Sequence, residues 1–315
     1  MAQANATYYA VHDPFRDFTT APEITQVFGE IMGLWAAIAW EGAGQPDPVI
    51  LAEVGPGRGT LMQDALRAVR LVAPRFAAAL RVHLVETSPR LRALQAAAVP
   101  DAVWHERLEE LPPGPLVLLA NEFLDALPIR QFVRRGAGWT ERFVEDGAFT
   151  ERPADGPERE ATEGEVVEVN EAAEAVARWL AARIATSGGA ALLLDYGPAS
   201  SAPGESLQAL RDGRPADPLV DPGSADLTAH VDFAAVAEAA AGRVAVYGPV
   251  QQGPFLARLG LFQRTGVLAR TQPPKQAAAL VQSAQRLAEP DRMGGLFKAL
   301  ALCQPGAPVP PGFEP

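Results

Sequence analysis

The chain has 315 residues, 48% of them hydrophobic and 21% charged, and a formal net charge of −11, which excludes a disordered chain and leaves room for a large core. One cysteine (Cys303) and four histidines in no metal-ligand spacing exclude an internal disulfide and a structural zinc. No Lys/Arg cluster offers a footprint for nucleic acid, and the longest apolar run, Ile31 to Trp40, is too short for a bilayer span of about twenty residues.

The N-terminus, MAQANATYYAVHDPF, has neither the basic start of an export signal nor the Arg-rich look of a transit peptide, so a reducing cytoplasm is the expected compartment. Residues 23 to 40 space Ile24, Val27, Phe28, Ile31, Leu34, Trp35 and Ile38 along one helical face, with Pro22 at the first turn. DPVILAEVG predicts a strand buried on both faces, TLMQDALRAVRLV a helix and RVHLVE a strand. SPRLRALQAAA is a helix opened by Ser88 and Pro89, AVWHE a brief strand and PLVLLANEF a further apolar strand.

Residues 129 to 145 alternate on either side of a Gly-Ala-Gly turn, the pattern of an antiparallel hairpin, and 146 to 165 are expected to be its irregular extension. A helix over 170–186 leads to the apolar strand GGAALLLDYG. Residues 197 to 229 lack periodicity and are expected to form a long loop. HVDFAAVAEAAAG predicts a helix, RVAVYG a strand, and 253 to 302 a series of helical segments broken at Gly260 and Pro273-Pro274. Strands alternating with helices imply an α/β fold with a mostly parallel, doubly wound sheet. From Glu141 to Glu174 twelve acids face three arginines, so this stretch carries −9 of the −11. It reads as a solvated surface, or as an acidic rim for a basic protein substrate.

EVGPGRGT, Glu53 to Thr60, sits where a buried strand hands over to a helix. Gly55, Gly57 and Gly59 permit a tight turn against which a nucleotide-like ligand can lie. The lysine of a P-loop is missing, and the glycine spacing is not that of a dinucleotide fingerprint, which disfavours a nicotinamide oxidoreductase. Glu53 would repel a pyrophosphate and attract an ammonium group, which favours S-adenosylmethionine. Glu86 ends the next strand, where a carboxylate accepts both hydroxyls of a ribose; the plain alternative is a capping acid before Ser88. Trp104 borders an adenine or is a core tryptophan.

LLANEFLDALP places Asn121, Glu122 and Asp125 beyond the carboxyl end of a strand. Glu122 and Asp125 share one face if the chain turns helically there, and a carboxylate pair suits a guanidinium and the proton that N-methylation releases. The plain alternative is a set of caps and salt bridges.

DFTTAPEITQVFGE, EVGPGRGTLM, NEFLDALPIRQF, LLLDYG, DPLVDPGSADLTAHVDF, QGPFLARLG and MGGLFKALA closely resemble the MidA-type class I S-adenosylmethionine-dependent methyltransferases, from about Tyr8 to Leu302. The resemblance implies a Rossmann-like core over 41–130 and 188–250. It also implies an N-terminal lid and helix (1–40), an inserted hairpin, acidic segment and helix (131–187), and a C-terminal helical region (251–315). It places Gly55, Gly57, Gly59 and Glu86 at the cofactor, with Thr19 and Thr20 in a segment folded over it; Glu53, Ser88 and Trp104 join the expected cofactor site on their own positions in the sequence. Thr19 or Thr20 as a helix N-cap is the alternative. Asn121, Glu122 and Asp125 then face the substrate. Mitochondrial members are complex I assembly factors that methylate an arginine of a core subunit, so the resemblance implies a protein arginine as methyl acceptor; an assembly chaperone that binds cofactor without turnover is the rival. The family's histidine after Asp-Tyr-Gly is replaced here by Pro198.

Overall fold

The computed structural model describes residues 1–12 and 19–314. Helix α1 (Ala2–Val11) opens the chain; α2 (Ala21–Ile24) and α3 (Gln26–Gly42) precede β1 (Val49–Val54). Then come α4 (Thr60–Val72), α5 (Pro74–Ala79), β2 (Leu80–Val85), α6 (Pro89–Ala98), β3 (Val103–His105) and β4 (Leu116–Asn121). Strands β5 (Arg130–Arg135), β6 (Gly138–Glu145), β7 (Ala148–Ala154) and β8 (Val166–Val169) lead to α7 (Glu171–Ser187) and β9 (Gly189–Tyr196). After β10 (Gln208–Arg211), β11 (Arg214–Ala216) and β12 (Asp226–Thr228) follow α8 (Phe233–Ala240) and β13 (Ala245–Gln251). Helices α9 (Gln252–Arg258), α10 (Leu261–Ala269), α11 (Pro274–Ala288) and α12 (Met293–Leu296) precede β14 (Phe297–Cys303).

The chain divides into two compact units. The larger one holds residues 19–123, 178–196 and 240–315 and is built on a seven-stranded sheet in the order β13-β14-β9-β4-β1-β2-β3. Strands β3, β2, β1, β4 and β9 are mutually parallel, and β14 and β13 join antiparallel. Every residue of β1, β4 and β14 is buried, as a sheet covered on both faces requires. Trp35, Phe28, Met32, Leu51, Leu61 and Met62 form part of its core. The chain leaves β1 toward β2 on one side, while β4 lies on the other, so a crevice opens beyond the carboxyl ends of these two strands. This is the doubly wound α/β architecture that the strand-helix alternation predicts.

The smaller unit holds the described residues before 13 together with 124–177 and 197–239. It contains a four-stranded antiparallel sheet, β7-β6-β5-β8, and a three-stranded one, β11-β10-β12.

Four elements differ from the sequence reading. The first long helix is broken at Thr25, which takes an extended conformation (φ −160°) and caps α3 by accepting the N–H of Val27 at 3.3 Å. The segment expected as an irregular extension forms β7, paired with β6 across Asp146-Gly147, both at positive φ (50° and 76°). The expected loop at 197–229 likewise contains a hairpin turning at Asp212-Gly213 (φ 50° and 69°). Both are Asp-Gly hairpin signals. Finally, the C-terminal region is not wholly helical, because the apolar run FKALALC is a strand between β9 and β13. The acids of the 141–174 stretch are partly paired, as where Arg130 grips Glu141 and Arg135 grips Glu151, each at 2.7 Å.

Candidate active site

Strand β1 ends at the buried Glu53 and Val54, and the glycine turn reverses the chain into α4. Gly55 and Gly59 adopt φ values of +62° and +81°, a region that costs an L side chain strain. Space is short as well: a Cβ on Gly55 would stand 3.2 Å from Phe123 Cδ2, and one on Gly59 3.3 Å from Ala98 Cβ. The missing side chain at Gly59 lets α6 approach the turn. The Oε2 atom of Glu53 is buried and meets no hydrogen-bond partner among the described residues. Burial pushes the Glu53 carboxyl up to about 8, opposed only by a backbone hydrogen bond from Met62.

Glu86 follows the end of β2 and is 8% exposed. Its Oε1 accepts from the Ser88 N–H at 2.8 Å, and its Oε2 from Gln95 Nε2 at 3.2 Å. Burial raises its carboxyl above the ordinary range, and the hydrogen bonds from Ser88 and Gln95 pull it back. Ser88 is the N-cap of α6, accepting from Leu91 N–H at 3.4 Å. Gln95 also donates to the carbonyl of Gly57 at 2.8 Å and accepts the indole N–H of the half-buried Trp104 at 2.9 Å. Sequence reasoning passed over Gln95. The available signal was its place four residues after Leu91, on the buried face of a short helix.

At the end of β4, Asn121 is buried and its Oδ1 has no hydrogen-bond partner among the described residues. Glu122 takes φ +52°, an uncommon conformation for a non-glycine residue and one found at functional sites. Its Oε1 accepts from Asn121 Nδ2 and from the Ala21 N–H, both at 3.1 Å. Burial pushes the Glu122 carboxyl up to about 7, against those two donors and the charge of Arg286. The Phe123 N–H is held by Asp195 Oδ2 at 3.1 Å, at the end of β9.

The segment carrying Thr19 and Thr20 is drawn to the same strand ends. Glu23 Oε1 accepts the hydroxyl of Thr60 at 2.5 Å, and Arg58 of the glycine turn lies 3.7 Å from its other oxygen. Thr20 precedes α2 but makes no side-chain cap there; the capping threonine is Thr25. Asp17 and Phe18 of the same motif lie outside the described residues. Glu53, the glycines, Glu86, Ser88, Trp104, Asn121, Glu122, Thr19 and Thr20 thus belong to one unit.

Asp125 belongs to the smaller unit. The helical turn expected to align it with Glu122 does not form, because the left-handed conformation at Glu122 breaks it. In its own unit Asp125 is buried, and its carbonyl accepts from the Ala229 N–H at 3.0 Å. Nearby, Tyr9 donates to Asp226 Oδ1 at 2.7 Å. Burial, then the charges of Asp226 and Asp125, hold the Tyr9 phenol well above its usual range.

The larger unit's crevice fits an adenosyl cofactor on three observations. Glu53 keeps an unsatisfied buried carboxylate oxygen for a cation, the turn has no Cβ at Gly55, Gly57 or Gly59, and Glu86 is held by Gln95 at the next strand end.

Comparison with known proteins agrees. Residues 31–250 match the family described as "Putative S-adenosyl-L-methionine-dependent methyltransferase". Protein arginine methyltransferase NDUFAF7, mitochondrial, of Danio rerio is 33% identical over 334 residues, covering 94% of this chain and 79% of the relative. The Homo sapiens protein of that name is 33% identical over 336 residues, covering 94% and 76%. A Burkholderia thailandensis structure with bound S-adenosylhomocysteine superposes with a TM-score of 0.76 at 30% identity, covering 95% of this chain and 80% of that one. A native structure from the same organism gives 0.80 at 29% identity, covering 100% and 87%. These names correct the cytoplasmic expectation, since the curated relatives are mitochondrial proteins. No helix among the described residues is long and apolar enough to cross a membrane. With the glycine turn, the acidic strand ends and the doubly wound sheet in place, this chain belongs to the S-adenosylmethionine-dependent methyltransferase family.

Proposed function

We propose that this methyltransferase N-methylates an arginine of a protein substrate, and that the substrate is a subunit of respiratory complex I met during assembly. The reading rests on the names of the relatives and on one observation in this chain: the buried, unpartnered Asn121 Oδ1 beside Glu122 at the end of β4. When bound, the cofactor supplies an electrophilic methyl group on a sulfonium. Glu53 holds the ammonium end of the cofactor, the backbone at Gly55, Gly57 and Gly59 lies against it, Glu86 takes the ribose, Ser88 fixes Glu86, and Trp104 borders the adenine. Thr19 and Thr20 close over it.

Asn121 Oδ1 accepts one guanidinium N–H and so fixes which nitrogen lone pair is presented. Glu122 offsets the guanidinium charge and takes up the proton that leaves as the new N–C bond forms. Asp125 belongs to the proposed substrate side, its role there resting on the motif alone. Catalysis is then chiefly positioning and exclusion of water.

The rival, an assembly chaperone that binds cofactor without turnover, draws on the fact that Glu122 Oε1 already anchors Ala21. Labelled methyl transfer to complex I subunits by wild type and by Asn121→Ala decides between them. Label on arginine, lost in the variant, supports the enzyme; binding of subunits without label in either protein supports the chaperone.

A further inference from the structure

We propose that Gln95 is the positioning residue of the cofactor site, setting the orientation of the Glu86 carboxylate and the Gly57 carbonyl together through one side-chain amide. The inference rests on Glu86 as the ribose acceptor.

Three observations carry it. Gln95 has no solvent exposure, although a glutamine on a ten-residue helix would ordinarily reach water. Its amide is used completely: one N–H goes to Gly57 O, the other to Glu86 Oε2, and the carbonyl accepts from Trp104 Nε1. The orientation of the amide follows from its partners, because a flipped amide would set its oxygen against two acceptors and its N–H group against the indole donor. Gln95 therefore connects the glycine turn, the end of β2 and the residue after Val103 in β3. These are three separate pieces of backbone that must keep register for one nucleoside to fit.

The approach of α6 explains how this is possible. At Gly59 (φ +81°) a Cβ would be strained and would stand 3.3 Å from Ala98 Cβ and 3.4 Å from Gln95 Cα, so the glycine helps the helix stand near enough for the amide to reach Gly57. Glu86 has other supports, since the Ser88 N–H holds its Oε1 and Arg92 Nε donates to its backbone carbonyl at 2.7 Å. Gln95 is the side chain that donates to its Oε2, at 3.2 Å, beside a backbone hydrogen bond from Thr87 to the same carboxylate. Without that bond the carboxylate can rotate about its last torsion, and the gap between its two oxygens no longer faces the ribose diol. A buried polar network is worth most when every member is satisfied, so loss of the amide is felt at Glu86 before it is felt in the fold.

The test is a double-mutant cycle read by calorimetric titration with S-adenosylhomocysteine, using wild type, Gln95→Met, Glu86→Ala and the double variant. Gln95→Met keeps the volume and removes all three hydrogen bonds. It should raise the Kd roughly tenfold in the wild-type background and less than about twofold once Glu86 is already alanine. An unchanged Kd, or the same factor in both backgrounds, overturns the inference. If Glu86→Ala alone leaves the Kd unchanged, the ribose reading fails, and the inference fails with it; a loss in Glu86→Ala but none in Gln95→Met defeats Gln95 alone. Should Gln95→Met show no cooperative thermal transition, Gln95→Asn keeps the neutral amide and shortens its reach by one methylene, so that it no longer spans Gly57, Glu86 and Trp104 together. The same Glu86-dependent loss is then expected, and an affinity equal to wild type overturns the proposal.

Discussion

The carboxylate of Glu122 accepts the backbone N–H of Ala21 at 3.1 Å, which ties the end of the central strand β4 to the segment entering α2. A residue proposed to handle the substrate's charge is thereby also a fastening point for the Thr19–Glu23 segment. The next variant separates those two duties.

Glu122→Gln retains an amide oxygen for Ala21 and removes the charge. Cofactor affinity and thermal midpoint should stay near wild type, while arginine methylation falls at least about tenfold, some 1.4 kcal/mol in the barrier. With the Glu122 carboxyl near 7, wild-type turnover should climb as pH rises through neutrality and its carboxylate ionises. The variant should show no such rise. Equal rates in both proteins would reduce Glu122 to an anchor.

Glu53 gives a stability signature of its own. Its folded carboxyl lies at about 8, well above the unfolded value of about 4.3, so the folded state binds the extra proton. Stability is therefore full below the unfolded value and is lost as pH climbs toward 8. Glu53→Gln has no charge to bury, and its thermal midpoint should exceed that of wild type at about pH 8.5 and match it near pH 4. The same variant should release fewer protons on binding S-adenosylhomocysteine, measured by calorimetry in buffers of different ionisation enthalpy.

Glu86→Ala should weaken S-adenosylhomocysteine by about 1.5 to 3 kcal/mol, the range for hydrogen bonds to a charged group. Calorimetry giving wild-type affinity would remove Glu86 from the ribose.

Thr25→Ala should cost about 1 kcal/mol of stability in denaturant titration, because α3 loses the oxygen that caps the Val27 N–H. Thr25→Ser should restore most of it. No loss in the alanine variant would show that packing of Phe28 and Ile31 alone fixes where α3 begins.

The central sheet was legible in the sequence because its strands are continuous apolar runs set between helical spacings, and Glu53 and Glu86 stood out as acids at the ends of such runs. The smaller unit was harder to read. Its strands at 148–154 and 208–216 are largely exposed or half-buried, so they carry no hydrophobic alternation, and only the Asp-Gly pairs mark them. Strand β14 was hidden for the opposite reason: FKALALC has no period at all, and periodicity cannot tell a buried strand from a buried helix. In the site, spacing suggested that Glu122 and Asp125 share a face, but one residue at positive φ breaks that rule. Gln95 escaped notice because its one signal, a place four residues after Leu91, is carried by a lone residue on a short helix whose other polar side chains are only partly buried.

The position of β14 bears on how the protein is made. Strand β9 is synthesised at residues 189–196, yet the partner that covers its free edge arrives only at 297–303. While the intervening segments emerge from the ribosome, the row of backbone donors and acceptors along Leu192, Leu193 and Leu194 has no neighbour on that side, and these leucines are all buried in the finished fold. An apolar sheet edge held open for that long invites mispairing and slow closure. Truncations ending between β9 and β14 should therefore associate with general chaperones, and release from them should coincide with appearance of the Phe297–Cys303 segment.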